Sequence, residues 1–480
     1  MTGFSVEERR ALCAHIRAAE QEAARSGAPV CAWLSRPVGG IDHRSLFSAA
    51  AGGERFFWEE PGDGLRLVAA GAVSTLIGAG RSRSRVAEQA AALFRGGEPL
   101  PSAALDGPVL TGGFGFSDAR DGRVWRGFAP VRFVVPEHLV AWREGRAIHT
   151  TTVLAHPGAD PASIVNAAEA RWRALCTRAE RAGADRLVRH HDAVSSTLEG
   201  CVPERFRIFT EPSPARFRAI VQRALDEIRA GRFEKVVLAR SCTVSRTSGF
   251  DPDHVLALLR SSNPRCFRFA LGCGDATLLA ATPERLVRLE GRAVTASALA
   301  GSRGRGRSPE EDARLAAGLR ESKKEQEEHA LVARALRAVL ERCCDRVSSA
   351  EAPALLRLES IQHLHTPMTA VLRPGAVRSV LDLASRIHPS PAVAGAPQEA
   401  ALSFLRANET VRRGWYAGAV GWLSPGGDGE LAVALRTVLL RGELAVLHAG
   451  AGVVEGSSPE GELAETRLKL RGGLSALLEL

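Results

Sequence analysis

"FEKVVLARS", Phe233 to Ser241, is the stretch on which the reading of this chain turns. It is short, flanked by charge, and built around β-branched Val236 and Val237, so it reads as a strand. Alternation puts Lys235, Val237 and Ala239 on one face and Val236 and Leu238 on the other. Both faces are apolar beyond the lysine, which predicts burial on both sides. Lys235 then has two readings. Either it stands at the strand's end and snorkels to water, as lysines beside a core usually do, or it is held in a cleft where a lowered pKa lets it act as a base. The stretch by itself leaves both open.

Working outward, the spacing predicts a helix over Pro214–Ala230 before this strand. Further strands are expected at "FRFALG", "ATLLAAT" and "RLVRLEG" after it. Ser308, Pro309 and Glu311 form a helix start, with an N-cap, a proline at the first helical position and a capping-box glutamate, and one long helix is expected from there. "ELAVALRTVLLRGELAVLHAGAG" reads as two antiparallel strands turning at Arg441-Gly442, and a last helix starts at "SSPEGELAETRLKL". The first 204 residues mix helical patterns (Val6–Ala24, Arg85–Leu93, Pro161–Ala182) with strand-like "LRLVAAGAV" and "VRFVVP". "TGGFGF", Thr111 to Phe116, lacks a P-loop lysine and a following Rossmann pattern and reads as a turn between strands. The texture divides the chain into 1–204 and 205–480. With no repeat and no low-complexity linker, the two parts are expected to form one intertwined unit.

Composition narrows the class. Of 480 residues 45% are apolar and 24% charged, as in a soluble globular protein with a large core. Net charge is +9, but basic and acidic residues are interleaved. The dense basic stretches, "GRSRSR" (Gly80 to Arg85) and "GSRGRGR" (Gly301 to Arg307), carry no aromatics, so nucleic acid is not an expected partner. A mild positive field suits a small anionic substrate equally well. The nine cysteines are odd in number with no C-x-x-C pair, which argues against a disulfide framework or zinc site and for a reducing compartment. The N-terminus has no signal-peptide apolar region and no apolar run reaches membrane-spanning length, so a cytoplasmic protein without membrane partners is expected.

Three places collect carboxylates. In the long helix Leu331, Val332, Ala335, Leu336, Val339 and Leu340 form an inward stripe that Glu328 continues, while Lys323, Lys324, Glu325 and Glu327 read as a solvated face. In the last helix Glu462, Glu465 and Lys469 share one face, and Leu463, Thr466, Leu470 and Leu474 another. This is either a surface Glu-Lys pair or two carboxylates one turn apart, suited to a hard divalent cation. Glu284 follows Pro283 at the entry to a strand, where it is either an exposed loop residue or a general acid presented to a cleft.

Taken in order, "KVVLAR", "TPERLVRL", "ALAGSRGRG", "KKEQEEHALV", "IQHLHTP", "HPSPAVAG", "GWYAGAVGW", "LAVALRT", "HAGAGVV" and "SSPEGELAETRLKL" resemble the chorismate-binding enzyme family over Phe233 to Leu470. "ERFFWEEPGDGLRLVAAGAVSTL" also resembles long isochorismate synthases. The resemblance implies an α+β fold, a single large unit of packed β-sheets surrounded by helices. It implies that Lys235 is the general base that activates water and Glu284 the general acid that protonates the departing C4 hydroxyl, so that chorismate becomes isochorismate. It puts Mg²⁺ on Glu328, Glu462 and Glu465, which should converge. Arg436 and Lys469, with backbone around Gly450 and Gly301–Ser302, would hold the substrate's anionic groups, and His363 would line the ring pocket. Lysine rather than glutamine at 235 favours water over ammonia as nucleophile, so no obligatory amidotransferase subunit is expected. The resembling rival is salicylate synthase, which goes on to eliminate pyruvate; Ala392, where lyases tend to carry a hydroxyl, favours isochorismate as the end product. An amidotransferase-partnered synthase and a non-catalytic chorismate-binding protein are further alternatives. The length of the N-terminal region tilts the expected pathway toward menaquinone rather than a siderophore.

Overall fold

The computed structural model describes residues 3–478 except 63, 79–82, 96–105, 119–121 and 196–205. Among them the strands form two antiparallel sheets, one of twelve strands and one of ten. The Lys235–Ser245 strand lies inside the larger sheet. It pairs along its whole length with Leu444–Val454 and on its other side with Gly395–Ala396 and Arg207–Glu211. Val236 and Leu238 point into the core between the sheets, which also takes Phe114, Phe133 and Trp422 from the smaller sheet. Strands from the first 204 residues enter both sheets: Arg55–Glu59 pairs with Phe267–Cys273 in one, and Leu110–Phe114 with Ala419–Leu423 in the other. The 204/205 boundary itself lies outside the described residues. No described helix is long and apolar enough to cross a membrane, and the eight described cysteines are free.

Three expectations change. "TGGFGF" is not a turn: Leu110–Phe114 is a fully buried strand. A Cβ at Gly112 would collide with the Arg132 carbonyl, and one at Gly113 with the Ala419 carbonyl, so glycine is there because neighbouring backbones approach too closely for a side chain. The long helix is two, Pro309–Glu321 and Lys323–Glu341, because Ser322 is extended (φ −67°, ψ 110°) and its hydroxyl accepts the Glu325 N–H to cap the second. The "ELAVALRTVLL" stretch is not one strand: Gly429–Val433 belongs to the smaller sheet and Thr437–Arg441 to the larger.

That last correction positions the site. The chain crosses between the sheets twice in adjacent places. Ala276–Thr282 is in the larger sheet and Arg285–Glu290 in the smaller, so Pro283-Glu284 is one crossing. The other is Ala434 to Arg436. Each strand before one crossing pairs with a strand after the other, and the Val433 N–H donates to the Glu284 carbonyl at 2.9 Å. Two chain segments that leave their sheets side by side open a cleft in what is otherwise packed core.

Candidate active site

Lys235 opens its strand but does not snorkel. It pairs with Val454 on one side and Ala396 on the other and is 1% exposed, so its side chain is kept from bulk solvent. Its Nζ lies 2.8 Å from Glu328 Oε1. Room for that pair comes from Gly452 on the adjoining strand, where a Cβ would fall on Glu328 Oε1 and 3.0 Å from Lys235 Cε. Burial alone would raise the Glu328 pKa; the Lys235 ammonium outweighs it and holds the carboxyl below its usual range.

Glu284, carried by the first crossing, is 5% exposed. Burial pushes its pKa up to about 8, with Lys235 and Lys469 pulling only partly the other way. It is a carboxylic acid at neutral pH, not an exposed loop carboxylate. Arg436, on the second crossing, sits in left-handed backbone (φ 52°), a costly conformation for a residue with a Cβ. Its Nη2 donates to His363 Nε2 at 2.8 Å. An arginine is always protonated, so His363 Nε2 is the acceptor, and Nδ1–H donates to Ser302 Oγ at 2.9 Å. Burial, with Arg436 and Lys469 nearby, holds His363 well below the ordinary imidazole pKa. It is a neutral orienting group for Arg436.

Ser302 is aimed by a bulge. The strand Ala293–Gly304 shifts register against Ile361–Leu372 between Ala300 and Ser302, with Gly301 at φ 75°. The Ser302 N–H then donates to Glu325 Oε2 at 2.9 Å. Here the sequence reading erred: Glu325 is 8% exposed, not solvated. It lies seven residues before Val332 and belongs to the same buried stripe as His329, Val332, Leu336 and Leu340, a periodicity present in the sequence but hidden by the density of charge around it. Lys324 is likewise engaged, with Nζ 2.8 Å from Glu462 Oε1 and 3.5 Å from Glu325 Oε1.

The last helix, Pro459–Leu478, brings the remaining groups. Lys469 Nζ donates to the Gly450 carbonyl at 2.9 Å and to Glu465 Oε1 at 2.6 Å. Burial opposes the Lys469 charge, but Glu465 holds its pKa above the usual lysine range. Glu462 is 1% exposed; burial and then Glu465 push it up to about 7 against the pull of Lys324. Burial disfavours the Lys324 ammonium too, and Glu462 and Glu325 outweigh it.

Glu284, Gly301, Ser302, Glu328, His363, Arg436, Gly450, Glu465 and Lys469 line one cavity of about 80 Å³. Tyr416, Arg413 and His448 line it as well, with Tyr416 and His448 stacked at 5.0 Å; the sequence reading gave none of them a role, although Tyr416 lies in "GWYAGAVGW" and His448 opens "HAGAGVV". Lys235 does not line the cavity but stands one hydrogen bond behind it, through Glu328. Glu462 also stands behind it, one turn before Glu465. Glu328, Glu462 and Glu465 thus come to one end of the cavity. Among the described residues, however, no group of three or more His, Cys, Asp or Glu side chains is arranged to hold a metal ion. Each of the three carboxylates is held by its own lysine: Glu328 by Lys235, Glu462 by Lys324 and Glu465 by Lys469.

A buried acid, a buried lysine behind it, and Arg436 and Lys469 in the lining of one cavity point to chemistry on a small anionic molecule, and the comparisons with known proteins agree. The chain is 31% identical over 459 residues to the isochorismate synthase MenF of Bacillus subtilis, covering 92% of each. It is 35% identical over 440 residues to the salicylate biosynthesis isochorismate synthase of Pseudomonas aeruginosa, covering 88% of this chain and 85% of that one. The fold is similar to the solved structure of the menaquinone-specific isochorismate synthase MenF of Escherichia coli, with a TM-score of 0.75 over 96% of this chain and 100% of that one, at 23% identity. The family model described as chorismate binding enzyme matches residues 17–478, so the chain belongs to the chorismate-binding enzyme family.

Proposed function

We propose that this protein is an isochorismate synthase, an isomerase that converts chorismate to isochorismate. The observation that carries the reading is a buried pair of unlike groups, Glu284, which lines the cavity with its carboxyl pKa pushed up to about 8, and Lys235, one hydrogen bond behind the lining through Glu328. The isomerisation needs both. Water adds to C2 of the ring and loses a proton, the double bonds shift, and the C4–O bond breaks as that oxygen gains a proton. Lys235, in its neutral amine form, takes the first proton and Glu284 gives the second, so atoms and charge balance, and each turnover ends with the two groups needing to exchange one proton. Glu328, 2.8 Å from Lys235, orients the amine. Arg436 and Lys469 bind the carboxylates of the substrate, Arg436 with its fork turned by His363.

No three of the described carboxylates stand arranged around an ion, each being drawn to its lysine, but the hard oxygen donors they supply at the cavity's end are of the kind Mg²⁺ takes. Glu462 Oε2 is buried with no hydrogen-bond partner. Glu465 raises the pKa values of both Glu462 and Glu325, as crowded negative charges do. Glu328, Glu462 and Glu465 would hold the ion. When bound, Mg²⁺ neutralises and orients the ring carboxylate of chorismate.

Ala392 lines the cavity without a hydroxyl, which favours isochorismate as the end product over onward elimination of pyruvate. Water as nucleophile leaves no role for an amidotransferase partner. Incubation with chorismate and Mg²⁺ followed by chromatography tests all of this. The expected result is a chorismate–isochorismate mixture free of pyruvate. Salicylate with pyruvate would replace this reading by salicylate synthase, and unconsumed chorismate would overturn it.

A further inference from the structure

Of the three lysines that hold the carboxylates, two have work in the reaction. Lys235 is the base and Lys469 faces the substrate. Lys324 does not line the cavity and touches no proposed substrate group, yet its Nζ is 2.8 Å from Glu462 and 3.5 Å from Glu325. Glu465 also acts on it electrostatically. Its own side chain is 24% exposed, while that of Glu462 is 1% exposed. Four carboxylates, Glu325, Glu328, Glu462 and Glu465, therefore share three ammonium groups, and the deepest of the four depends on Lys324. The Glu462 oxygen that Lys324 does not reach has no hydrogen-bond partner.

We propose that Lys324 is a resident counter-cation for Glu462 that competes with the divalent ion, so that it sets the metal affinity of the site and holds the site together when the metal is absent. The inference rests on the reading of Glu462 as a metal ligand. Its physical basis is that one carboxylate oxygen pair cannot fully neutralise two cations. A lysine at hydrogen-bond distance must be displaced or must share, and either lowers the affinity of the incoming ion. Lys324 is suited to this part because it is tethered at the second position of the Lys323–Glu341 helix, whose cap Ser322 fixes where its stem begins. Its partial exposure lets the ammonium withdraw into water when Glu462 is taken. Positioning, not catalysis, is its role.

The experiment is Mg²⁺ titration calorimetry on the full chain, wild type against Lys324→Met, with thermal melts in EDTA and in saturating Mg²⁺. Lys324→Met keeps much of the stem and removes the charge. It is expected to bind Mg²⁺ roughly tenfold more tightly, to melt lower than wild type in EDTA, and to gain more from Mg²⁺. Lys324→Arg, which restores the charge, should bring the affinity back toward wild type, and in a Glu462→Gln background Lys324→Met should change the affinity little. A lysine that merely braces the fold would not tighten metal binding on removal. Equal or weaker binding by Lys324→Met, with wild type binding normally, overturns the proposal and leaves the metal reading standing. Absence of any Mg²⁺ binding by wild type overturns both. Should Lys324→Met fail to fold in EDTA, the side-chain ¹⁵N resonance of Lys324 in wild type decides instead. It should shift on addition of Mg²⁺, and an unmoved resonance at saturation refutes competition.

Discussion

Gly452→Ala places one methyl group against the Lys235–Glu328 pair. Gly452 is paired with Val237 in the middle of the larger sheet, so the strand cannot withdraw to make room. The new Cβ would fall on Glu328 Oε1 and stand 3.0 Å from Lys235 Cε, so the side chains must give way. Glu328 is the freer of the two, and its carboxylate is expected to swing off the amine. A hydrogen bond to a charged group contributes about 1.5–3 kcal/mol, and the pair is buried, so the loss in stability should fall in that range. The catalytic loss should be larger in proportion, because a misplacement of about 1 Å at a reacting group can cost ~10²-fold. The assay is steady-state conversion of chorismate at saturating Mg²⁺, beside a thermal melt. Gly472→Ala on the last helix, where a Cβ meets nothing within 4 Å, is the control and should leave kcat unchanged. A folded Gly452→Ala enzyme with wild-type kcat would refute the claim that the buried Lys235–Glu328 geometry matters to turnover.

Three further outcomes are expected. Lys235→Gln should fold and bind chorismate but lose ~10²–10⁴-fold in kcat, the range for a missing general base; near-normal kcat in a folded variant would remove Lys235 from the mechanism. Glu284 must be protonated to act, and its pKa is raised to about 8, so kcat/KM should fall as pH rises through about 8; Glu284→Gln should be nearly inactive, and an alkaline limb that survives in its residual activity would assign that limb to another group. His138, His388 and His448 are buried with pKa values lowered to about 3, because burial disfavours their charged forms. The unfolded chain then takes up protons that the folded one does not, so their contribution is fully present above pH ~6.5 and is lost below it at up to about 1.4 kcal/mol per pH unit for each histidine. Urea melts at pH 7.5, 6 and 5 check this, and an unchanged midpoint would show that these rings are not held neutral by the fold.

Much of the architecture was legible along the chain because it is local. The Lys235 strand follows from its β-branched pair and alternation. The start of Pro309–Glu321 follows from Ser308, which accepts the Glu311 N–H, and Pro309. Order and spacing of short motifs gave the family. What failed was whatever depends on a partner distant in sequence. Gly112 and Gly113 read as a turn because the two strands that crowd them arrive from Arg132 and Ala419. Glu325 and Lys324 read as solvent-facing because charge is usually solvated, and their partners Ser302 and Glu462 come from other elements. Lys235 could not be resolved between snorkelling and burial until the Gly395–Ala396 strand closed one side of it and Leu444–Val454 the other.

By itself, then, the sequence determined which residues are chemically able to act: a lysine among valines, a glutamate after a proline, glutamates one turn apart on a helix. Only the tertiary structure decided what those residues are in place. Two adjacent crossings between sheets carry Glu284 and Arg436 into one cavity, and that convergence reflects a strand pairing whose partners lie as much as 165 positions apart, as Ala276 and Arg441 do. The reason is physical. Propensity and periodicity act over a few residues, whereas desolvation and ion pairing depend on everything packed around a group. The same carboxyl is an exposed anion on a loop and, at Glu284 with the cleft closed around it, an acid with a pKa near 8.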